Sequence, residues 1–313
     1  MNKQRRYFSN GQKLFWILLL VLVVFSFLHL ADKMFKSDGI AEAIVKLEKP
    51  EEQITIDTSS VKDTTQSNCE MVPQTWTWQD YNGNSHSIDF KLCKEDYEKS
   101  TKNRIKINPE YSIMDPWSAF PGVYWNMYQN DRAFIKNIVN AYKNEIKKAG
   151  ITDYQESLDF VVSSIQTLGY TFVCDGTRDS RCGQGAATLE DCRPPNLGFF
   201  GDDLGCCDNV IPLAVYSPME FAYQRTGDCD TKALFAYTVL KEMGFTNVAV
   251  LIGDTDGGGH SMLGIKIPNP PYNKYYVTDN DGSKYYAWEV TTGNNKLGQE
   301  CWLTWQGWKI SIN

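Results

Sequence analysis

One apolar run, Leu14–Ala31 (LFWILLLVLVVFSFLHLA), sets the conditions under which the rest of this 313-residue chain must fold. Its 18 residues carry only Ser26 and His29 as polar interruptions. As a helix it spans about 27 Å, just sufficient for a bilayer core. Lys3, Arg5, Arg6 and Lys13 precede it with no acid among them, whereas Lys33 and Lys36 behind it are mixed with Asp32 and Asp38. The positive-inside rule then places residues 1–13 in the cytoplasm and everything after the anchor in the periplasm or outside the cell. The chain thus reads as a single-pass membrane protein held by a signal anchor. A cleaved signal peptide is the competing reading, but Leu28-His29-Leu30-Ala31 is a poor cleavage pattern.

The cysteines agree with an exported body. All nine follow the apolar run: Cys69, Cys93, Cys174, Cys182, Cys192, Cys206, Cys207, Cys229 and Cys301. One free thiol would leave an even eight, enough for four disulfides in an oxidising compartment, with 105 possible pairings. Zinc is the rival for Cys174–Cys207, yet that stretch has no C-x-x-C pair and no histidine. We therefore expect neither metal nor cofactor. The net charge of −7 and the pI near 5.1 argue against nucleic acid as a partner.

Behind the anchor, residues 32–68 are polar and charged with little periodicity, which predicts an extended juxtamembrane stalk. In 69–105, the alternation around Trp76 and Trp78, the turn Tyr81-Asn82-Gly83-Asn84 and the alternating Ser87–Leu92 predict a β-hairpin. Cys69 and Cys93 bracket it where a disulfide would close it. His86, beside Ser and Asn in this hairpin, reads as an exposed surface residue.

Residues 106–313 read as the main domain. Apolar residues at helical spacing predict helices over Asp131–Gly150 and Ile151–Leu168, with a short extended segment Tyr170–Val173 next. Residues 174–209 hold five cysteines, many Gly and Asp residues and Pro194-Pro195, and are expected to be a disulfide-held insertion. Thr226-Gly227-Asp228-Cys229-Asp230-Thr231-Lys232-Ala233-Leu234 then opens a buried helix ended by Gly244, with Thr226 or Asp228 as its cap. Strands follow at Thr246–Gly253, His260–Ile267, Tyr275–Thr278 and Lys284–Thr291. The turn Asp279-Asn280-Asp281-Gly282 is not a calcium loop, because the EF-hand register would put Val277 and Trp288 at ligand positions. Trp302, Trp305 and Trp308 read as side chains packed on the sheet.

Three residues have the types and order that nucleophilic catalysis needs. Cys229 stands in the first turn of a helix, where free N–H groups and the helix dipole favour a thiolate. His260 begins a strand and Glu289 ends one, so antiparallel pairing of those strands would bring imidazole to carboxylate beside the thiol. That pairing requires residues 268–283 to form an excursion outside the contact. Cys229 as a buried or disulfide-bonded structural cysteine is the plainer alternative. An oxyanion would need the Cys229 backbone N–H and one side-chain donor, with Gln166 as first choice and Gln224 as second.

The runs Pro218-Met219-Glu220-Phe221 and Gly227–Leu234, then Gly259–Gly264 (GHSMLG), then Tyr286–Thr291 (YAWEVT), together with Phe160–Tyr170, resemble the transglutaminase-like superfamily over roughly Asp131–Gly298. The resemblance implies an α+β, papain-like fold in which a Cys helix packs on an antiparallel sheet carrying His and an acid. It also implies a thiol enzyme acting on amide bonds of a peptide or protein, as a cysteine peptidase, amidase or acyl-transferring transglutaminase. Cys229 would be the nucleophile, His260 the general base and acid, and Glu289 the orienting acid, where Asp is the commoner third member. A catalytically inactive binding or scaffold module of the cell envelope is the alternative from another class.

Overall fold

The computed structural model describes residues 69–111, 116–173, 205–208, 215–255, 258–299 and 305–313. The apolar run Leu14–Ala31, the stalk 32–68, Cys301, Trp302 and all of the insertion 174–209 except 205–208 lie outside the described residues. Among the described residues no helix is long and apolar enough to cross a membrane.

Strands β1 (Met71–Gln79) and β2 (Ser85–Cys93) form the hairpin, in a continuous antiparallel register from Met71↔Cys93 to Gln79↔Ser85. Their alternation buries Trp76, Trp78, Ile88, Phe90 and Leu92 on one face. Trp76 meets Phe90 edge-on at 4.9 Å and reaches Phe235 of the Cys229 helix at 5.9 Å, so the hairpin shares the core of the main body. A Cys69–Cys93 disulfide closes it. His86 is not the exposed residue its polar neighbours suggest. Its ring is 15% exposed, takes an Asp80 carboxylate at 2.9 Å and packs edge-on against Phe160 at 4.8 Å.

The charged sequence after Cys93 continues as helix α1 (Lys94–Tyr111), so a boundary at 105/106 falls inside a helix. Helix α2 (Pro116–Asp131) follows, then α3 (Lys136–Lys148) and α4 (Tyr154–Gln166). The helix expected from Asp131 therefore begins five residues later, behind a turn. Asp153 caps α4 by accepting from the Glu156 N–H at 2.8 Å.

A small parallel sheet of order β4-β3-β5 combines β3 (Gly169–Val173), β4 (Gly205–Asp208) and β5 (Thr226–Gly227). Between β4 and β5 lies α5 (Pro218–Gln224), begun by a Ser217/Glu220 capping box. Glu220 also forms a buried bidentate pair with Arg104 of α1, at 2.6 and 2.9 Å.

Helix α6 (Cys229–Met243) is the spine of the fold. Every residue from Thr231 to Leu240 is buried, because α3, α4 and α5 cover one side and the main sheet covers the other. That sheet is antiparallel, of order β10-β6-β7-β9-β8, with β6 (Val248–Thr255), β7 (Gly258–Ile265), β8 (Tyr276–Thr278), β9 (Lys284–Trp288) and β10 (Gln306–Ile312). Strand β8 sits outside β9, which leaves β7 and β9 as direct neighbours. The class is mixed α+β. Trp308 and Trp305 stack at 4.5 Å and join the sheet face of Leu251 and Met262, and Trp308 belongs to the unforeseen strand β10.

Candidate active site

The pairing of β7 with β9 ends at Leu263↔Trp288, although β7 continues back to Gly258 beside β6. His260 and Ser261 therefore lie where β9 has already turned away, and the start of α6 fills that gap. Gly227 makes the approach possible: a Cβ there would stand 2.6 Å from the Thr231 side chain and 3.1 Å from Phe221. Asp228 then caps α6 by accepting from the Thr231 N–H at 3.2 Å, deciding the cap in its favour over Thr226. Cys229 follows at the first helical position, a free thiol only 8% exposed. The Ser261 backbone N–H is placed to favour the charged form of its sulfur.

His260 Nε2 lies 2.7 Å from Glu289 Oε2. The other carboxylate oxygen of Glu289 accepts from the Thr291 N–H at 2.7 Å and the Thr291 hydroxyl at 2.5 Å. Burial alone would raise the Glu289 carboxyl, but His260 and Thr291 outweigh it and hold it below the usual glutamate range. Burial likewise works against a charged His260, and Glu289 with Asp230 outweighs it to favour the imidazolium. With Nε2 committed to Glu289, Nδ1 is the ring nitrogen left for a second proton exchange.

The thiol does not meet the expectation of a helix start that favours thiolate. Burial first, then the carboxylates of Asp230 and Asp228, push Cys229 well above the ordinary thiol range, against a smaller opposite effect from the Ser261 N–H. Lys232, one turn on, is buried, donates to the Leu168 carbonyl at 2.7 Å and is pushed down to about 7 by desolvation.

Gln166 is close to this centre but turned to another task. Its Nε2 donates to the carbonyls of Glu289 at 2.7 Å and Asn295 at 2.8 Å, while its Oε1 accepts from the Tyr81 hydroxyl at 3.0 Å. Both amide hydrogens are spent, so Gln166 is a brace under Glu289 and not an oxyanion donor. Gln224 points to Tyr97 of α1, 3.4 Å away, and is no better placed.

Sequence reasoning passed over several neighbours. Asp230 accepts from the Tyr124 hydroxyl of α2 at 2.6 Å and from the Ser261 hydroxyl. Tyr170 of β3 stands within the fields of Cys229, Asp228, Glu289 and Asp230, and burial keeps its phenol protonated. Ser261 and Asp230 adjoin His260 and Cys229 in sequence, which was the available signal. Tyr124 has none. The Trp308 ring lies edge-on to His260 at 6.1 Å and fills the space above Gly253, where a Cβ would come within 2.3 Å of it.

No family model, curated protein or solved structure matches the chain.

Proposed function

We propose that this chain is a transglutaminase-like thiol enzyme of papain-like fold that cleaves or transfers acyl groups at amide bonds, anchored by Leu14–Ala31 with its catalytic body outside the cytoplasm. The observation that carries the reading is the 2.7 Å His260–Glu289 pair, with Ser261, the residue after His260, bonded to Asp230, the residue after Cys229. In this mechanism His260 Nδ1 takes the Cys229 proton as sulfur attacks the amide carbonyl carbon. The C–N bond then breaks, the amine leaves with the proton from His260, and a thioester remains. Water or a second amine, deprotonated by His260, attacks the thioester and restores the thiol. Glu289 stabilises the imidazolium and fixes its tautomer. The Cys229 backbone N–H is the donor available to the developing oxyanion.

The test is alkylation of Cys229 by iodoacetamide across pH in the full-length chain, read by peptide mass mapping. We expect a pH-dependent rate that His260→Ala alters, and Glu289→Gln to alter it in the same direction. Labelling that ignores both substitutions would sink the catalytic reading. It would favour the second one, a silent binding or scaffold module, whose supporting observation is the nearly buried, acid-flanked thiol.

A further inference from the structure

The first turn of α6 is tied to β7 at a single residue, Ser261. The Ser261 hydroxyl donates to Asp230 Oδ1, and the Ser261 N–H favours the charged form of the Cys229 sulfur. The Tyr124 hydroxyl of α2 donates to the same carboxylate oxygen at 2.6 Å and lies 3.1 Å from the Ser261 hydroxyl. Three elements thus converge on one half-buried carboxylate beside the nucleophile. Ser261 is also the residue after His260, so whatever fixes Ser261 against α6 fixes the spacing of thiol and imidazole.

We propose that Asp230 is a positioning residue that, through Ser261 and Tyr124, latches the nucleophile's turn to the His260 strand and keeps the resting nucleophile a thiol until His260 takes its proton. The inference rests on the catalytic reading above and adds to it how the sulfur is held and in which protonation state it waits. The charged and titratable groups around this turn are Asp228 and Lys232 from α6, Tyr124 from α2, Tyr170 from β3, His260 from β7 and Glu289 beyond β9. Of the two acids flanking Cys229, Asp230 is raised by burial, against which the Ser261 and Tyr124 hydroxyls and the nearby His260 favour its charged form. Asp228 is raised well above the usual range by burial first and then by Asp230, against the Thr231 donors that hold it as the cap. The carboxylate bonded to the His260 strand beside the sulfur is therefore Asp230. A nucleophile arranged this way is quiet toward adventitious electrophiles and oxidants at rest. Proton transfer to His260 Nδ1 is then part of the attack and not a standing ion pair.

The experiment is the pH midpoint of Cys229 alkylation by iodoacetamide in the full-length chain, with a thermal melt recorded for each variant. Asp230→Asn keeps the shape and an accepting oxygen but removes the charge, and we expect its midpoint to fall by about one pH unit or more. Ser261→Ala and Tyr124→Phe each remove one donor and keep the charge, so their midpoints should rise. A midpoint in Asp230→Asn that stays put or rises would overturn the proposal, as would Ser261→Ala and Tyr124→Phe moving downward. If Asp230→Asn does not fold, the direction of the other two decides. Failure of this inference is distinct from failure of the catalytic reading, because only the latter leaves labelling indifferent to His260→Ala.

Discussion

The Gln166 side-chain amide donates to the backbone carbonyl of Glu289 at 2.7 Å, so the end of one helix sets the position of the acid that orients His260. The same amide and the Tyr81 hydroxyl both reach the Asn295 carbonyl, which also takes the Trp288 indole N–H at 2.7 Å. Gln166→Leu therefore orphans a buried carbonyl. It should lower stability by about 1–3 kcal/mol in a urea titration and shift the Cys229 alkylation profile with it. A variant that folds as stably as the parent would point instead to a spare donor at Gln166.

Trp308 and Gly253 are complementary shapes. An added methyl at 253 would collide with the indole, at 2.3 Å from its nearest ring atom. Gly253→Ala should cost about 1–3 kcal/mol through overpacking. In combination with Trp308→Ala the cost should be well short of additive, because the second change removes the obstacle. A double-mutant cycle on thermal unfolding measures this.

Asp131 fastens α1 to α5, accepting from the Ser100 hydroxyl at 2.7 Å and the Met219 N–H at 2.8 Å. Burial, only partly offset by these donors, raises its carboxyl from 3.8 to about 6. The native state then holds a proton that the unfolded chain has released. This contribution is full below pH 3.8 and is lost as pH rises through about 6. The loss amounts to about 3 kcal/mol. Asp131→Asn should remove that slope, visible as a smaller stability difference between pH 4 and pH 7 than in the parent.

The Cys69–Cys93 disulfide, spanning a separation of 24 residues, closes the hairpin. Replacing both cysteines by alanine should cost about 3–4 kcal/mol through the looser unfolded chain. Because Trp76 and Trp78 remain packed on Tyr142 and Phe160, the variant should still fold. Near-ultraviolet circular dichroism at low temperature would show it.

The elements that the sequence announces are those whose burial is apolar and periodic. Trp76, Trp78, Ile88, Phe90 and Leu92 alternate, and Asp228 and Gly244 cap an apolar run, so hairpin and α6 could be read directly. Helix α1 could not, since it is fixed largely by polar means, with Ser100 on Asp131 and Arg104 on Glu220. Pro121 inside α2 obscures a helix that buries Val123, Tyr124, Met127 and Tyr128. The approach of His260 to Glu289 followed from strand order. The direction of the Gln166 amide did not, because it is decided by Asn295, far along the chain.

The brace under Glu289 gathers Tyr81, Gln166, Trp288 and Asn295 from the length of the folded body. A chain emerging in order acquires Cys229 and its helix well before residue 295 arrives. Contacts this distant in sequence are slow to close. During biogenesis the thiol would thus wait on an unsupported acid, and competence would come last. On the catalytic reading proposed above, the protein's own neighbours would be spared thiol chemistry until folding had finished.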